Sequence, residues 1–215
     1  MSSQSVTTYL SKEEIQSLLK VSDYHGLKAI VTDWGLIALC MAGVALWPAF
    51  YTIIPAVFII GGRQLGLAIL MHEACHGTLF TNKKINDFVG EWLCSIPLWL
   101  SLSGYRKHHL QHHKYTWTEN DPDLGLSNIY PVSKKSFARK MLRDLFGLTA
   151  LKAIYGFLLR DFGYMEFTIS NKITWIDQTG RTKSDVIKTG IKNLAPFVLV
   201  QGFFLGILFL LHYCV

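Results

Sequence analysis

Charge is what this sequence lacks over two long stretches. No Asp, Glu, Lys or Arg occurs in residues 34–62, and none in residues 193–215. A helix that crosses a bilayer needs about 20 mostly apolar residues, and tracts of this kind supply them. The first tract is broken in its middle by Trp47-Pro48 and is read as two spans, at about residues 29–47 and 51–72; the second is read as one, at about 194–212. Paired cysteines are also missing. Cys40, Cys75, Cys94 and Cys214 stand singly with no C-x-x-C, so nothing resembles a disulfide framework. Residues 1–20 lack the apolar core of a secretory leader.

What the chain does have is a basic middle. Its 215 residues are 50% apolar with a formal charge of +6, and 15 of the 21 Lys and Arg residues fall in residues 102–192. They are spread through a segment between spans, which makes nucleic acid a poor reading and points to anionic headgroups, so no nucleic-acid partner is expected. The first two spans form a hairpin, so both outer ends return to one side. Lys12, Lys20 and Lys28 mark one end and Lys83 and Lys84 the other, which makes that side cytoplasmic. Residues 88–101 are apolar but hold Glu91 and Pro97; a run this short is expected to be re-entrant or interfacial. The expected fold class is an all-α integral membrane protein with three transmembrane helices, one re-entrant segment and a cytoplasmic helical domain. Its segments are residues 1–28 in the cytoplasm, 29–101 as hairpin and re-entrant segment, 102–192 as cytoplasmic domain and 193–215 as third span.

Smaller signals fill in this frame. Ser11-Lys12-Glu13-Glu14 has the form of a capping box opening a short amphipathic helix. Pro131-Val132-Ser133 looks like the start of a helix carrying Phe137, Met141, Leu145, Leu148 and Ile154 at near-helical spacing. Lys134, Lys135, Arg139, Lys140 and Arg143 lie on its other faces, so it is expected on anionic lipid or packed on the cytosolic domain. Asp177-Gln178-Thr179-Gly180 reads as a turn. Gly202 and Gly206 fit G-x-x-x-G, a weak sign of close helix contact. Arg63 lies inside the second span, roughly 14 Å along the helix from His72; it is expected either to line a polar path to that residue or to snorkel or cap a carbonyl. His25 and His212 are read as structural.

Six of the eight histidines are concentrated in two boxes, His72-Glu73-Ala74-Cys75-His76 and His108-His109-Leu110-Gln111-His112-His113. Residues three or four apart share a helix face, so His72 and His76 point one way, and His109, His112 and His113 another common way. Neutral imidazoles that converge bind zinc, copper, iron or nickel. Cys75 faces away from the His72/His76 stripe and reads as a packed thiol. Two chemistries compete. The first box spells H-E-x-x-H, a zinc metalloprotease signature with Glu73 as general base and Asp121 or Asp123 as conceivable further ligand. A protease leaves the second box without a role. Oxidation of an unactivated C–H bond with O₂ needs a redox metal, and two irons would use both boxes.

The motifs resemble one family. H-E-x-x-H-G at His72 to Gly77 and H-x-x-H-H at His109 to His113 are similar to those of the membrane fatty acid desaturases and their hydroxylase relatives. Gly62-Arg63-Gln64, Asn86-Asp87, Tyr105-Arg106, Asp121-Pro122-Asp123-Leu124 and Arg143-Asp144-Leu145 carry the likeness further. The resemblance implies that His72, His76, His109, His112 and His113 are iron ligands of a di-iron centre on the cytoplasmic face, with His108 outside the set. It implies O₂ as co-substrate, a membrane lipid or acyl substrate, and a ferredoxin or cytochrome b5-like electron donor. A related lipid, carotenoid or alkane hydroxylase remains the alternative within it. Family members carry a third H-x-x-H-H box that these residues lack, so the chain is expected to be the N-terminal part of a longer enzyme, the alternatives being a site completed by another chain or a protein that has lost activity.

Overall fold

A computed structural model describes residues 6–127, 129–167 and 173–214. Val215 and the side chain of His212 lie outside the described residues. The chain is mostly helical and divides into two compact units, Met1–Cys94 and Ser95–Val215. Three of its helices are long and apolar enough to cross a membrane.

In the first unit, a 3₁₀ turn (Val6–Thr8) precedes α1 (Lys12–Leu18). The capping box at α1 forms as expected: Glu14 N–H donates to Ser11 Oγ at 3.2 Å and Ser11 N–H to Glu14 Oε2 at 2.8 Å. The long hairpin follows, α2 (Asp23–Leu46) and α3 (Phe50–His76). Pro48 stops α2, because the residue before a proline is pushed out of the α region, and Trp47 sits at φ −133°, ψ 78°. Thr52 restarts the helix by accepting from Ala49 N–H at 3.2 Å.

The hairpin packs through Ile30, Asp33 and Ile37 of α2 and Ala56, Leu67, Leu70, Met71 and Ala74 of α3, all buried. Arg63 has a partner that the sequence did not point to. Its Nη1 donates to Asp33 Oδ1 at 2.8 Å, forming an ion pair between the two helices. Glycine makes room for the carboxylate: a Cβ on Gly66 would lie 2.5 Å from Asp33 Oδ2. Two further short pieces close the unit, α4 (Lys83–Val89) and a π-helical turn (Gly90–Ser95). Trp34 Nε1 donates to Leu93 O at 3.0 Å and ties that turn to α2.

The second unit opens with a 3₁₀ turn (Ile96–Leu98), ended by Trp99 in the left-handed region at φ 62°. Then come α5 (Leu102–Lys114), α6 (Leu124–Ser127), α7 (Lys134–Leu145) and α8 (Leu148–Asp161). Ser133 caps α7 as the sequence implied, accepting from Ser136 N–H at 3.2 Å. The amphipathic stretch is two helices, however: Gly147 at φ +72° turns the chain between α7 and α8. The all-helical expectation also needs a correction. Strands β1 (Met165–Phe167) and β2 (Ile173–Trp175) pair antiparallel, with Glu166 opposite Thr174. Phe167, Ile173 and Trp175 have the aromatic and β-branched character that suits a pleated surface.

The turn at residues 177–180 forms, with Thr179 N–H donating to Asp177 Oδ1 at 2.9 Å and Gly180 at φ +79°. Helix α9 runs from Lys183 to Cys214, starting well before the uncharged tract. Hydropathy marks where a helix can meet lipid; the backbone hydrogen bonds extend past it. Asp161 anchors this unit, buried, accepting from Trp99 Nε1 at 2.7 Å and Arg160 Nε at 2.7 Å. Trp99 stacks on Phe197 of α9 at 4.5 Å between ring centroids. Nothing lies within 4 Å of a Cβ built on Gly202 or Gly206, so G-x-x-x-G makes no close helix contact among the described residues.

Candidate metal centre

The first box occupies the last turns of α3. His72 and His76 are one turn apart; their rings meet edge-on with centroids 4.8 Å apart, and a ligand nitrogen of each lies within 4.8 Å of one on the other. On the helical wheel His72 is about 180° from Arg63, so the imidazoles point away from the face that packs on α2. The helix ends directly after them. Gly77 adopts φ 76°, ψ 23°, with its N–H on Ala74 O at 3.1 Å and Thr78 N–H on Glu73 O at 3.1 Å, a Schellman-type close.

Behind this end sits Asn86, wholly buried. Its Oδ1 accepts from Leu79 N–H at 3.2 Å and Phe80 N–H at 3.3 Å, and its Nδ2 donates to Ala74 O at 2.9 Å. One amide thereby holds the chain after the box against the helix that carries it. The loop is clamped a second time by Asp23, which accepts from Thr81 N–H at 2.7 Å and Thr81 Oγ1 at 2.8 Å. Cys75 is buried, as expected. Glu73 accepts from Thr78 Oγ1 at 2.8 Å, while His72 Nδ1 approaches its other oxygen at 3.4 Å. A carboxylate engaged in this way orients its neighbours.

The second box lies on α5, capped by Ser101. His109 is buried, Tyr105 stacks on it at 5.1 Å, and its Nε2 stands 2.9 Å from Nε2 of His113. That separation tests the fit to a metal. Two imidazole nitrogens at about 2.0–2.1 Å from one cation and at right angles are about 3 Å apart, which is what this pair presents. Two neutral imidazoles on a rigid helix suit a borderline transition metal such as iron.

His112 is turned elsewhere. Its Nδ1 is 2.7 Å from Asp121 Oδ1, and its ring centroid is 6.1 Å from that of His109. His108, which the sequence set outside the ligand group, places Nε2 2.6 Å from Asp123 Oδ1. Asp121 also accepts from the backbone amides of Trp117 and Asp123, each at 2.9 Å. Burial pushes its carboxyl up, but the bonds from the His112 side chain and from those two amides prevail, leaving it at about 2. It is therefore a carboxylate at neutral pH, able to fix the Nδ1 tautomer of His112 and aim Nε2 outward. A cavity of about 300 Å³ lined by Trp117, Leu126 and Ser127 opens beside this pair.

Asp121 and Asp123 are the residues whose part the sequence did not reveal. From the sequence they are conceivable zinc ligands and part of a family-like motif with no assigned role, whereas each bonds a histidine of α5. The available signal was general: a ligand histidine donates its other nitrogen to a carboxylate or carbonyl, and a D-x-D in the turn after a histidine box supplies two.

Comparison with known proteins identifies a family. The model of the fatty acid desaturase family matches residues 45–215, across both boxes. The chain belongs to that family, whose members among its relatives are oxidoreductases. It is 26% identical to the dihydrorhizobitoxine desaturase of Bradyrhizobium elkanii over 89% of this chain and 54% of that protein. It is 30% identical to the sn-1 oleoyl-lipid 12-desaturase of Arthrospira platensis, over 43% of this chain and 26% of that protein. With the zeaxanthin 4-ketolase of Chlamydomonas reinhardtii it shares 28% identity, over 45% of this chain and 28% of that protein. The chain thus spans about half the length of the first relative and about a quarter of the others. No solved structure matches it.

Proposed function

We propose that this chain contributes the first two histidine boxes of an O₂-dependent desaturase acting on a lipid acyl chain. In such a reaction two hydrogens leave adjacent carbons, a C=C bond forms, and O₂ is reduced to two waters with two further electrons and two protons from outside. His72, His76, His109, His112 and His113 would hold a di-iron centre, which supplies the redox chemistry that amino-acid side chains lack. Two irons with about four to six ligands each need more donors than these five, and the remainder come from outside the two boxes. The single observation that carries the reading is the paired imidazoles of each box within a family match that spans both. The family membership also removes the ground for reading H-E-x-x-H as a protease.

The chain's own residues have definable parts in this scheme. Gly77 and Asn86 hold the end of α3, Asp121 holds His112, and Tyr105 packs on His109. The three long helices, with residues 88–101 as a re-entrant segment, would keep the boxes at the cytoplasmic surface of a bilayer. The basic middle of the chain would attract an acidic ferredoxin or cytochrome b5-like donor, an attraction that high salt weakens. The ketolase relatives favour a second reading, oxygenation of a carotenoid or similar lipid at the same site. Metal analysis of the purified protein tests the core of both. Iron that is lost on His109→Ala or His113→Ala supports them; near-stoichiometric zinc with peptidase activity sinks them. Product analysis with acyl lipid and carotenoid then separates desaturation from oxygen insertion.

A further inference from the structure

Helix α7 has no core of its own. None of its 12 residues is buried, and Phe137, Met141, Leu142 and Leu145 are 53%, 42%, 54% and 78% exposed. At 100° per residue these four cover an arc of about 140°, entered by Lys134 of the first turn, while Lys135, Arg139, Arg143 and Lys140 fill the opposite side. Isolated helices of about 12–15 residues are marginal in water, so a helix this short needs a surface to lie on. Gly147 turns the chain between α7 and α8, and Thr149 of α8 donates to Asp144 at the end of α7, so among the described residues only that end of α7 is tied to its neighbour by a side-chain hydrogen bond. Charge selects the surface. Five basic residues (Lys134, Lys135, Arg139, Lys140, Arg143) stand against one acid, Asp144, which is 3.7 Å from Lys140.

We infer that α7 lies in the headgroup layer of an anionic phospholipid bilayer, with Phe137, Met141 and Leu145 in the acyl boundary and the basic arc on lipid phosphates. A helix with one strongly apolar face and an opposite face rich in lysine and arginine binds lipid in this way. The same chain carries three helices long enough to cross a bilayer, so such a surface is at hand. The inference does not depend on the metal and survives if the centre proves to be different. Its consequence is that lipid charge, as well as protein packing, fixes the basic middle segment.

The test is hydrogen–deuterium exchange on the full chain in three settings: detergent micelles, nanodiscs of phosphatidylcholine alone, and nanodiscs of phosphatidylcholine with phosphatidylglycerol. Amides of residues 137–145 should exchange roughly tenfold slower in the anionic discs than in the neutral ones. The R139Q/K140Q/R143Q variant should lose that difference, with exchange in α2 and α3 unchanged as the control for folding. Equal protection in all three settings would mean that protein, a second copy or another chain, covers the helix, and would overturn the inference. Equal protection in both disc types but not in detergent would overturn the assignment to anionic lipid, and so would no protection anywhere.

Discussion

Arg63→Met should destabilise the helical hairpin far more than its partly exposed position implies. The Arg63 side chain is 35% accessible, but the Asp33 carboxylate it pairs with is only 7% accessible and packs against Gly66. At the observed 2.8 Å and an effective dielectric near 20, the attraction is about 6 kcal/mol before desolvation is subtracted. Removing one member of a buried pair costs about 3–5 kcal/mol, because the other charge is left uncompensated. Solvent reaches the guanidinium, which places the loss at the lower end, about 3 kcal/mol. Asp33→Leu alone should cost about 1–2 kcal/mol, since the arginine left behind can reach water. The double variant Asp33→Leu/Arg63→Met should come near the parent, because a well-packed apolar replacement of a buried pair is often neutral. Reversible unfolding in mixed micelles, followed by helicity and tryptophan fluorescence, measures all three. If Arg63→Met costs less than about 1 kcal/mol, or the double variant loses the sum of the two single losses, the pair is not what holds α2 to α3.

Further predictions concern the site and its supports. Asp121→Ala should weaken metal retention by about 10–100-fold with helicity unchanged, and Asp121→Asn should recover part of it, as read by metal content after dialysis against a chelator. Gly77→Ala should lower stability by about 1–2 kcal/mol, since its φ of 76° suits glycine; Gly77→Asn should cost less in the same unfolding assay. Asn86→Leu leaves the Ala74 carbonyl and two backbone amides without their partner, and should cost about 1–3 kcal/mol or more. The Asp177 carboxyl titrates below the usual range because the Thr179 hydroxyl and backbone amide bond it. Its depressed value means that the turn is supported above the ordinary carboxylate range and loses that support as pH falls through the lowered value. Thr179→Val should move its titration up toward ordinary values, measured by carboxyl carbon shifts.

Much of the architecture was legible because it is written in local periods. Uncharged tracts marked the three long apolar helices, Pro48 marked the hairpin, and the three- and four-residue spacing of histidines put each pair on one helix face. Ser11, Ser133 and the turn ending at Gly180 were legible for the same reason: caps and turns are set by side chains within a few residues of the backbone they serve. The split of the amphipathic stretch at Gly147 and the pairing of β1 with β2 were not. A glycine inside a helical pattern is tolerated as often as it ends one, and three-residue strands carry too short a pattern to declare themselves. The limits of α9 were hidden for another reason, since charge reports what a helix can enter and not where its hydrogen bonds begin.

From its residues alone the chain determined that it is mostly helical, that three helices are apolar enough for a membrane, and that imidazoles lie in two boxes at ligand spacing. These depend on hydropathy and helical period, which are properties of neighbouring residues. Only the tertiary structure decided that Asp33 receives Arg63 from the other arm of the hairpin, that Asn86 secures the end of α3, and that Asp121 turns His112 while Asp123 takes His108. Those pairs are 30, 12, nine and 15 residues apart. At such separations no spacing rule applies, and the path of the folded backbone selects which polar group meets which.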